Sequence, residues 1–323
     1  MKEITVQRND AGQRLDKFLT KALPALPQGL MHKYIRLKRI KLSGKRVELN
    51  YRLQEGDVLQ LYINDEFFAT PNPEDEWRKV RPELEIVYED GQILLVNKPV
   101  GLVVHEDESN SPDTLINRIK AYLYEKGEWD PHSEQSFVPS LCNRIDRNTG
   151  GIVIAAKTAA ALRILNEKIR DRELSKYYLC LVHGAPKPRS GTLKNYLRRD
   201  TEKKQVFVER RKTPDSLTAL LEYETKETKA GLSLVECRLM TGRTHQIRVQ
   251  MAEAGWPLAG DTKYGTAARN RGLPFRYQAL WSWRLRFDFP TPAGELDYLR
   301  GREFRVKEVP FVSWFHRLSQ NDR

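Results

Sequence analysis

An acidic stretch interrupted by prolines divides this 323-residue chain into two parts. Residues 64–77 hold five acidic side chains, two prolines and no basic residue. Such a composition is unsuited to the interior of a helix or strand and is typical of a connection between domains. The sequence therefore predicts three segments, which are a small domain over 1–72, a linker over 73–82 and a larger domain over 83–323.

Positive charge is concentrated in the smaller part. The chain carries 55 Lys and Arg against 43 Asp and Glu, and the first 60 residues alone hold 13 basic and 6 acidic side chains. Residues 32–47 contain seven bases and no acid. Clustered charge on one short unit is typical of a nucleic-acid-binding surface, with a merely solvated basic face as the alternative. The residues predicted to bind nucleic acid are Lys33, Arg36, Lys38, Arg39, Lys41, Lys45 and Arg46.

Several classes of protein are excluded by composition. Hydrophobic residues make up 40% of the chain, which is enough for a buried core. No apolar run approaches the ~20 residues of a membrane span, and the first residues contain no apolar signal segment. We therefore expect a cytoplasmic protein without a membrane partner.

Metal and cofactor motifs are also missing from the sequence. Cys142, Cys180 and Cys237 stand far apart and form no CxxC pair, which argues against a disulfide framework and a structural zinc. Residues 132–134 match half of a deaminase zinc motif, but no Pro-Cys-x-x-Cys follows. There is no glycine-rich dinucleotide or phosphate loop. We expect neither a metal nor a cofactor.

Hydrophobic spacing indicates mixed secondary structure. In the first domain it predicts two short helices, a hairpin and a strand over Val58–Ile63. In the second, alternation predicts half-buried strands at 221–225 and 235–239, and Thr158 and Thr244 are predicted to cap helices. Regular βαβ units are not evident, so a doubly wound parallel sheet is not expected.

Three polar segments in the second domain attract attention because they adjoin apolar strands or helices: NRIDRNTGG (143–151), KYYLCLVHG (176–184) and TGRTHQIRVQM (241–251). Taken alone, Asp146 could simply form a turn and Tyr178 could simply pack. Arg248 lies next to an apolar stripe and would need an acidic partner if buried. The Gly-Arg-Thr run before a helix suggests donors directed at an anion.

Together these segments resemble the RluA-type RNA pseudouridine synthases. NRIDRNTGG is similar to the family's His-Arg-Leu-Asp-x-x-Thr-Ser-Gly motif, and TGRTHQIRVQMAEAGWPLAGDTKYG is similar to its C-terminal signature. VNKPVGLVVH (96–105) and KYYLCLVHG resemble two further blocks in the family's order. The first domain resembles the S-four-type RNA-binding domain. This likeness implies an α+β fold with a mixed, largely antiparallel sheet, flanking helices and a central cleft.

The resemblance implies that the chain isomerises uridine to pseudouridine in structured RNA without a cofactor. Asp146 matches the catalytic aspartate, and Arg248 matches the arginine that pairs with it. Tyr178 matches the tyrosine that stacks on the target base, with Ile247 on the other side. Arg144 matches the residue that fills the stack vacated by a flipped base.

Further expectations concern the substrate and the neighbouring residues. Arg243 and His245 are expected to bind substrate, and Lys98 is expected to be structural or to contact phosphate. Large-subunit ribosomal RNA is the expected substrate, with transfer RNA as the alternative, and the protein is expected to act as a monomer. A non-catalytic RNA-binding or ribosome-assembly factor on the same fold would have lost Asp146 or Arg248. A glycosidic hydrolase would usually need a second carboxylate, which the three segments lack.

Four positions depart from the family pattern: Asn143 stands for His, Gly150 for Ser, Gln250 for His, and Trp281 lies where Ala-Leu-Trp-Ser replaces a Leu-His pattern. All lie beside the matched catalytic positions and none replaces one. We therefore expect them to affect substrate preference more than activity.

Overall fold

Hydrophobic side chains in this computed structural model, which describes residues 1–68, 76–106 and 111–318, form separate cores on either side of the acidic stretch. One cluster draws on residues between Val6 and Ile63. The buried residues from Trp77 onward pack into other clusters, on the two faces of a large sheet and near its edge.

The small N-terminal unit combines two helices with a four-stranded antiparallel sheet. In helices α1 and α2 the apolar residues recur three and four positions apart, and these are the residues that face the core. The strand order is β1-β4-β2-β3, and the β2–β3 hairpin predicted from alternation is present. The elements are β1 (Lys2–Thr5), α1 (Leu15–Ala22), α2 (Gln28–Arg36), β2 (Ile40–Leu42), β3 (Lys45–Arg46) and β4 (Val58–Leu61).

Part of the predicted linker packs against the larger unit. Residues 73–75 lie outside the described residues, but Glu76–Lys79 forms a 3-10 helix. Its Trp77 is buried, with ring centroids 5.5 Å from Trp129 and 4.9 Å from Tyr124. This aromatic contact fixes where the chain enters the larger unit, which acidic composition alone could not indicate.

An eleven-stranded sheet forms the larger unit. Its order is β11-β10-β12-β13-β9-β14-β8-β6-β5, with β15 beside β14 and β7 beside β8. The strands are β5 (Ile86–Glu89), β6 (Ile93–Lys98), β7 (Ser140–Leu141), β8 (Gly150–Ala156), β9 (Leu174–His183), β10 (Ser190–Asp200), β11 (Gln205–Glu209), β12 (Ser216–Lys229), β13 (Leu232–Leu239), β14 (Leu280–Phe287) and β15 (Glu303–Arg305). The neighbours are antiparallel except β14 and β8, which confirms the mixed, largely antiparallel architecture.

Helices flank this sheet. Thr158 caps α4 by accepting a hydrogen bond from the Ala161 amide, as predicted. The predicted cap at Thr244 is wrong, because the N-cap of α5 is His245, which adopts a left-handed conformation with φ 52° and makes no side-chain cap bond. None of the helices within the described ranges is long and apolar enough to cross a membrane. The helices are α3 (Leu115–Glu125), α4 (Ala159–Arg170), α5 (Gln246–Glu253), α6 (Ala267–Asn270) and α7 (Pro310–Arg317).

The parallel pairing of β14 with β8 joins the two halves of the large sheet. It consists of two residue pairs, Trp281 with Gly150 and Ser282 with Gly151. Gly151 has φ +114°, and a Cβ there would lie 2.2 Å from the Ser282 carbonyl oxygen, so the position requires glycine. This close approach places the start of β8 beside the start of β14, which in turn pairs with the middle of β9.

The small unit is hydrogen-bonded to the large one through a polar interface. Asp10 is fully buried, and its carboxylate accepts a bond from Ser136 Oγ at 2.5 Å. Gln13 donates to the same hydroxyl at 2.8 Å, and Asn9 donates to Glu134 at 2.8 Å. Glu134, part of the discounted zinc motif, therefore takes part in an interdomain contact.

Candidate active site

A cleft of about 820 Å³ crosses the face of the large sheet. It is bounded by the loop between β7 and β8, by the start of β9, and by the turn that connects β13 to α5. The cleft collects residues from all three polar segments. Those predicted from sequence that line it are Arg144, Asp146, Tyr178, Arg243, His245, Ile247 and Arg248.

Asp146 lies in a loop that is held at several points. The backbone carbonyl of Asp146 accepts a bond from the Thr149 amide at 3.0 Å, and that of Arg147 accepts one from the Gly101 amide at 2.9 Å. Asn143 Oδ1 accepts a bond from the Ile154 amide at 2.8 Å. The Asp146 side chain is 28% exposed, so the carboxylate is fixed by its loop yet open to the cleft.

Lys98 supports the same loop from below. Its ammonium group donates to the carbonyl oxygens of Pro99, Leu102 and Arg147 at 2.7–2.9 Å. The side chain has no exposed surface, and burial lowers the pKa of Lys98 to about 7 against the opposing charge of Asp146. Since three carbonyls occupy the three donors of the protonated amine, these contacts favour a structural role for Lys98 over a phosphate contact.

Arg248 bridges two carboxylates. Its Nη1 lies 3.3 Å from Asp146 Oδ2, while Nε and Nη2 bond to the two oxygens of Asp261 at 2.7 and 3.0 Å. Asp261 is fully buried and also accepts bonds from the amides of Lys263 and Tyr264. Burial alone would raise the pKa of Asp261, but the bond from Arg248 and these amides lower it. The bidentate pair fixes the guanidinium plane, so its free edge points at Asp146.

Tyr178 lies on β9 with 5% of its surface exposed. In the sheet it is opposite Cys237 of β13 and Ser282 of β14. Burial raises the pKa of Tyr178 to about 12, and the charge of Asp146 acts in the same direction. The phenol therefore stays protonated at neutral pH, as a flat ring with a polar tip in the cleft.

His245 and Tyr264 complete the polar network. His245 Nδ1 and the Tyr264 hydroxyl lie 2.8 Å apart, and that hydroxyl accepts a bond from the Val206 amide. His245 Nε2 is 3.8 Å from Asp146 Oδ2. Burial lowers the pKa of His245, although the charge of Asp146 opposes this.

Two of these residues were not singled out from the sequence. Asp261 and Tyr264 both lie in the C-terminal signature, in the stretch GDTKYG. The expectation that a buried Arg248 needs an acidic partner could have directed attention to Asp261, the first acid after α5. No comparable signal marked Tyr264.

Two of the unusual residues beside the motif, Gly150 and Trp281, contact each other. The Trp281 indole covers Gly150, where a Cβ would lie 2.4 Å from ring carbons. Trp281 Nε1 donates to Asn97 Oδ1 at 3.0 Å. Gln250 donates to Asn195 Oδ1 at 2.7 Å and so connects α5 to β10. The Trp281 ring therefore leaves no room for a side chain at Gly150.

The basic residues of the N-terminal unit form a separate surface. Six of the seven are exposed, and Lys41 is half-buried with its ammonium 5.3 Å from the Tyr62 ring centroid. All lie on α2, on the β2–β3 hairpin or between them, and none is among the residues that line the cleft. Across 1–68, 76–106 and 111–318, no group of three or more His, Cys, Asp or Glu side chains is arranged to hold a metal ion.

Comparisons with known proteins agree with this geometry. Sequence models of two families match: the RNA pseudouridylate synthase family over residues 92–253 and the S4 domain over residues 13–59. The chain is 32% identical over 297 residues to the Bacillus subtilis protein named uncharacterized RNA pseudouridine synthase YlyB, with 92% of each chain covered. It is 31% identical over 286 residues to ribosomal large subunit pseudouridine synthase C of Escherichia coli K12, covering 84% of this chain and 82% of that one.

Solved structures show the same fold. Human RNA pseudouridylate synthase domain containing 4 superposes with a TM-score of 0.56 at 21% identity, covering 72% of this chain and 92% of that one. Human RNA pseudouridylate synthase domain containing 1 gives a TM-score of 0.53 at 22% identity, covering 75% and 98%. The chain thus belongs to the RluA-type RNA pseudouridine synthases, isomerases that act on RNA, and carries an N-terminal S4 domain.

Proposed function

We propose that Asp146 is the catalytic carboxylate that converts specific uridines of large-subunit ribosomal RNA to pseudouridine. The reaction breaks the bond between the base nitrogen and the ribose, rotates the base, and rejoins it through carbon. It needs a carboxylate that acts as nucleophile or base on the sugar or the pyrimidine. The observation that carries the proposal is the Asp146 carboxylate, open to the cleft and 3.3 Å from the fixed guanidinium of Arg248, beside buried Tyr178.

The surrounding side chains fit the handling of a flipped base. A uracil in structured RNA must leave its stack before it can reach the bottom of the cleft. Tyr178 and Ile247 are both buried residues of the cleft wall and would enclose the base, while exposed Arg144 would fill the vacated stack. Arg248 would orient Asp146 throughout.

The proposed RNA target rests on two observations. A relative with 31% identity is named for the large ribosomal subunit, and the N-terminal S4 domain presents seven clustered basic residues. Transfer RNA is the second candidate substrate. A non-catalytic assembly role is disfavoured because both the carboxylate and its arginine are present. We further propose that the enzyme is monomeric and cytoplasmic. In this proposal residues 1–72 bind RNA, and residues 83–323 catalyse the isomerisation.

Mapping pseudouridine in cells with and without the gene tests this proposal. Loss of pseudouridine from specific positions of large-subunit ribosomal RNA is the expected result. Loss confined to transfer RNA would identify transfer RNA as the substrate instead. Cells should then receive Asp146→Asn, or Asp65→Asn as an exposed control in the first domain. Asp146→Asn should leave the positions unmodified, and Asp65→Asn should restore them. Restoration by Asp146→Asn would show that another group performs the chemistry.

A further inference from the structure

The cleft that holds Asp146 is lined mainly by positive charge. Asp146 is the one carboxylate among the described residues that line it. Because opposing charge is scarce there, the cleft focuses a positive potential on whatever enters it. The basic residues lining the whole cleft are Arg144, Arg170, Arg172, Lys176, Arg199, Arg243 and Arg248.

Most of the less exposed cations in this set already have acceptors. Arg248 binds two carboxylates, and Arg243 Nε donates to the Thr218 carbonyl at 3.1 Å. Arg170, which is exposed, is paired with Asp171. These contacts account for their positions without any ligand, so these residues do not by themselves indicate what the cleft binds.

Lys176 is different. It lies on β9 two residues before Tyr178, next to an irregularity in the pairing with β14, and both residues line the cleft. It is half-buried, and its neighbours across the sheet are Leu239 and Leu285. In the described part of the chain it has no hydrogen-bond acceptor or carboxylate partner.

The nearest titratable group cannot supply a countercharge. Lys176 faces the thiol of Cys142, and burial raises the pKa of that thiol to about 12, so it is neutral at physiological pH. Burial lowers the pKa of Lys176 itself. Holding an ammonium partly out of water without an anion costs free energy that a bound anion would recover. The position of Lys176 therefore suits an ammonium whose countercharge is supplied by a bound ligand.

We propose that Lys176 binds a phosphate of the RNA backbone adjacent to the flipped nucleotide. The inference rests on the proposed function, since it takes the nucleotide at Tyr178 as the target. A phosphate suits a partly buried ammonium because it carries a full charge on several oxygens. A neutral uracil carbonyl would not offset the desolvation of an ammonium.

Binding measurements in a catalytically silent background test the site directly. Every protein carries Asp146→Asn, and the RNA is a stem-loop around the modified uridine, so the readout does not require turnover. Lys176→Gln should weaken binding about tenfold or more, as expected for loss of a charge-assisted contact. It should also reduce the salt slope of log affinity by about 0.7–0.9, the share of one phosphate. Lys176→Arg should recover most of the affinity, whereas Lys226→Gln, which removes an ion-paired lysine outside the cleft, should change neither quantity.

The RNA provides a second arm that does not depend on a variant folding correctly. Uncharged methylphosphonates are placed one at a time at the phosphates flanking the target uridine. A methylphosphonate at one of these positions should weaken binding to the Asp146→Asn protein about as much as Lys176→Gln does. It should not further weaken binding to the double variant that carries both Asp146→Asn and Lys176→Gln. Equal losses at that position in both proteins, or unchanged affinity with Lys176→Gln, would overturn the phosphate site. Either result would leave the proposed chemistry at Asp146 intact, because that is judged separately by pseudouridine formation.

Discussion

Adding one methyl group at Gly150 should destabilise this enzyme and slow it, because Trp281 occupies the space the methyl would need. An ideal Cβ on Gly150 would lie 2.4 Å from ring carbons of the indole, well inside van der Waals contact. The indole is 7% exposed and donates to Asn97 Oδ1 at 3.0 Å, so it has little freedom to move aside.

The expected magnitude follows from these contacts. Overpacking a core position usually costs about 1–3 kcal/mol. Displacing the indole also weakens its bond to Asn97, for which a net loss of about 1 kcal/mol is typical. We therefore expect Gly150→Ala to lower the free energy of unfolding by roughly 2–4 kcal/mol. Since Gly150 begins β8 four residues after Asp146, the shift should also reduce the single-turnover rate.

A double-mutant cycle isolates the contact. Gly150→Ala, Trp281→Leu and the double variant are compared by denaturant unfolding and by single-turnover pseudouridine formation. Trp281→Leu vacates the space, so Gly150→Ala should cost much less in its presence, with a coupling of about 1–3 kcal/mol. Gly29→Ala is the control, because a Cβ there meets nothing within 4 Å and α2 should tolerate or gain from alanine.

Two results would refute this reasoning. If Gly150→Ala unfolds at the same denaturant concentration as the wild type, the Trp281 ring yields freely. If the two substitutions are additive in the double variant, the loss has a cause other than their contact.

Three further predictions concern other parts of the molecule. Asp261→Asn should lower the free energy of unfolding by about 3–5 kcal/mol, because it leaves the buried Arg248 charge with one partner. It should also lower kcat more than it raises KM. Thermal melts and kinetics measure both effects, and an unchanged kcat would show that Asp261 does not support the site. Removing residues 1–75 should flatten the salt slope of log affinity for RNA by roughly 2 to 4 units, at ~0.7–0.9 per lost phosphate contact. The truncated protein should still modify a minimal stem-loop at low salt. Binding across a salt series measures the slope, and an unchanged slope would mean that the basic face is only solvated. Burial would raise the pKa of Glu89, but Lys126 and Lys157 hold that pKa at about 2. The contribution of the Glu89 carboxylate to stability is therefore present above pH ~4.5 and is lost as pH falls towards 2. Glu89→Gln should flatten the pH dependence of unfolding in that range, and parallel curves for the two proteins would contradict the assignment.

Local sequence patterns predicted those helices and strands in which the buried residues all lie on one face. The apolar stripes of α1 and α2 and the cap at Thr158 depend on residues three or four positions apart, which the sequence displays directly. The strand at 216–229 was recognised from a five-residue alternation, although its length depends on pairing with β10 and β13 on either side.

The start of α5 shows where local reasoning fails. Thr244 looked like a cap by residue type, yet the capping position belongs to His245 in a left-handed conformation. That conformation brings the imidazole ring against Tyr264 and close to Asp146. Tertiary contacts at the cleft therefore outweigh the ordinary preference for a threonine cap.

The site itself was predictable as a set of motifs but not as a network. The resemblance identified Asp146, Tyr178 and Arg248, and the structure brings all three to one cleft. The bond from Trp281 to Asn97 spans 184 residues of sequence, and that from Arg248 to Asp146 spans 102. No short-range periodicity carries such information, so the pairing of Gly150 with Trp281 could only be found in three dimensions.

The narrow junction between β8 and β14 has a consequence for how the enzyme fails on heating. Asp146 precedes β8, whereas Tyr178 lies on β9 in the other half of the sheet and Arg248 lies on α5. Two residue pairs between β14 and β8 hold the halves of the sheet together at this point. Fraying of those pairs would separate the carboxylate from its partners while both hydrophobic faces remained packed. Inactivation should therefore begin several degrees below the main unfolding transition, with faster amide exchange first at the junction and later in β9 and β13. Heat tolerance in this enzyme is then governed by a few backbone contacts beneath the catalytic loop rather than by the size of its core.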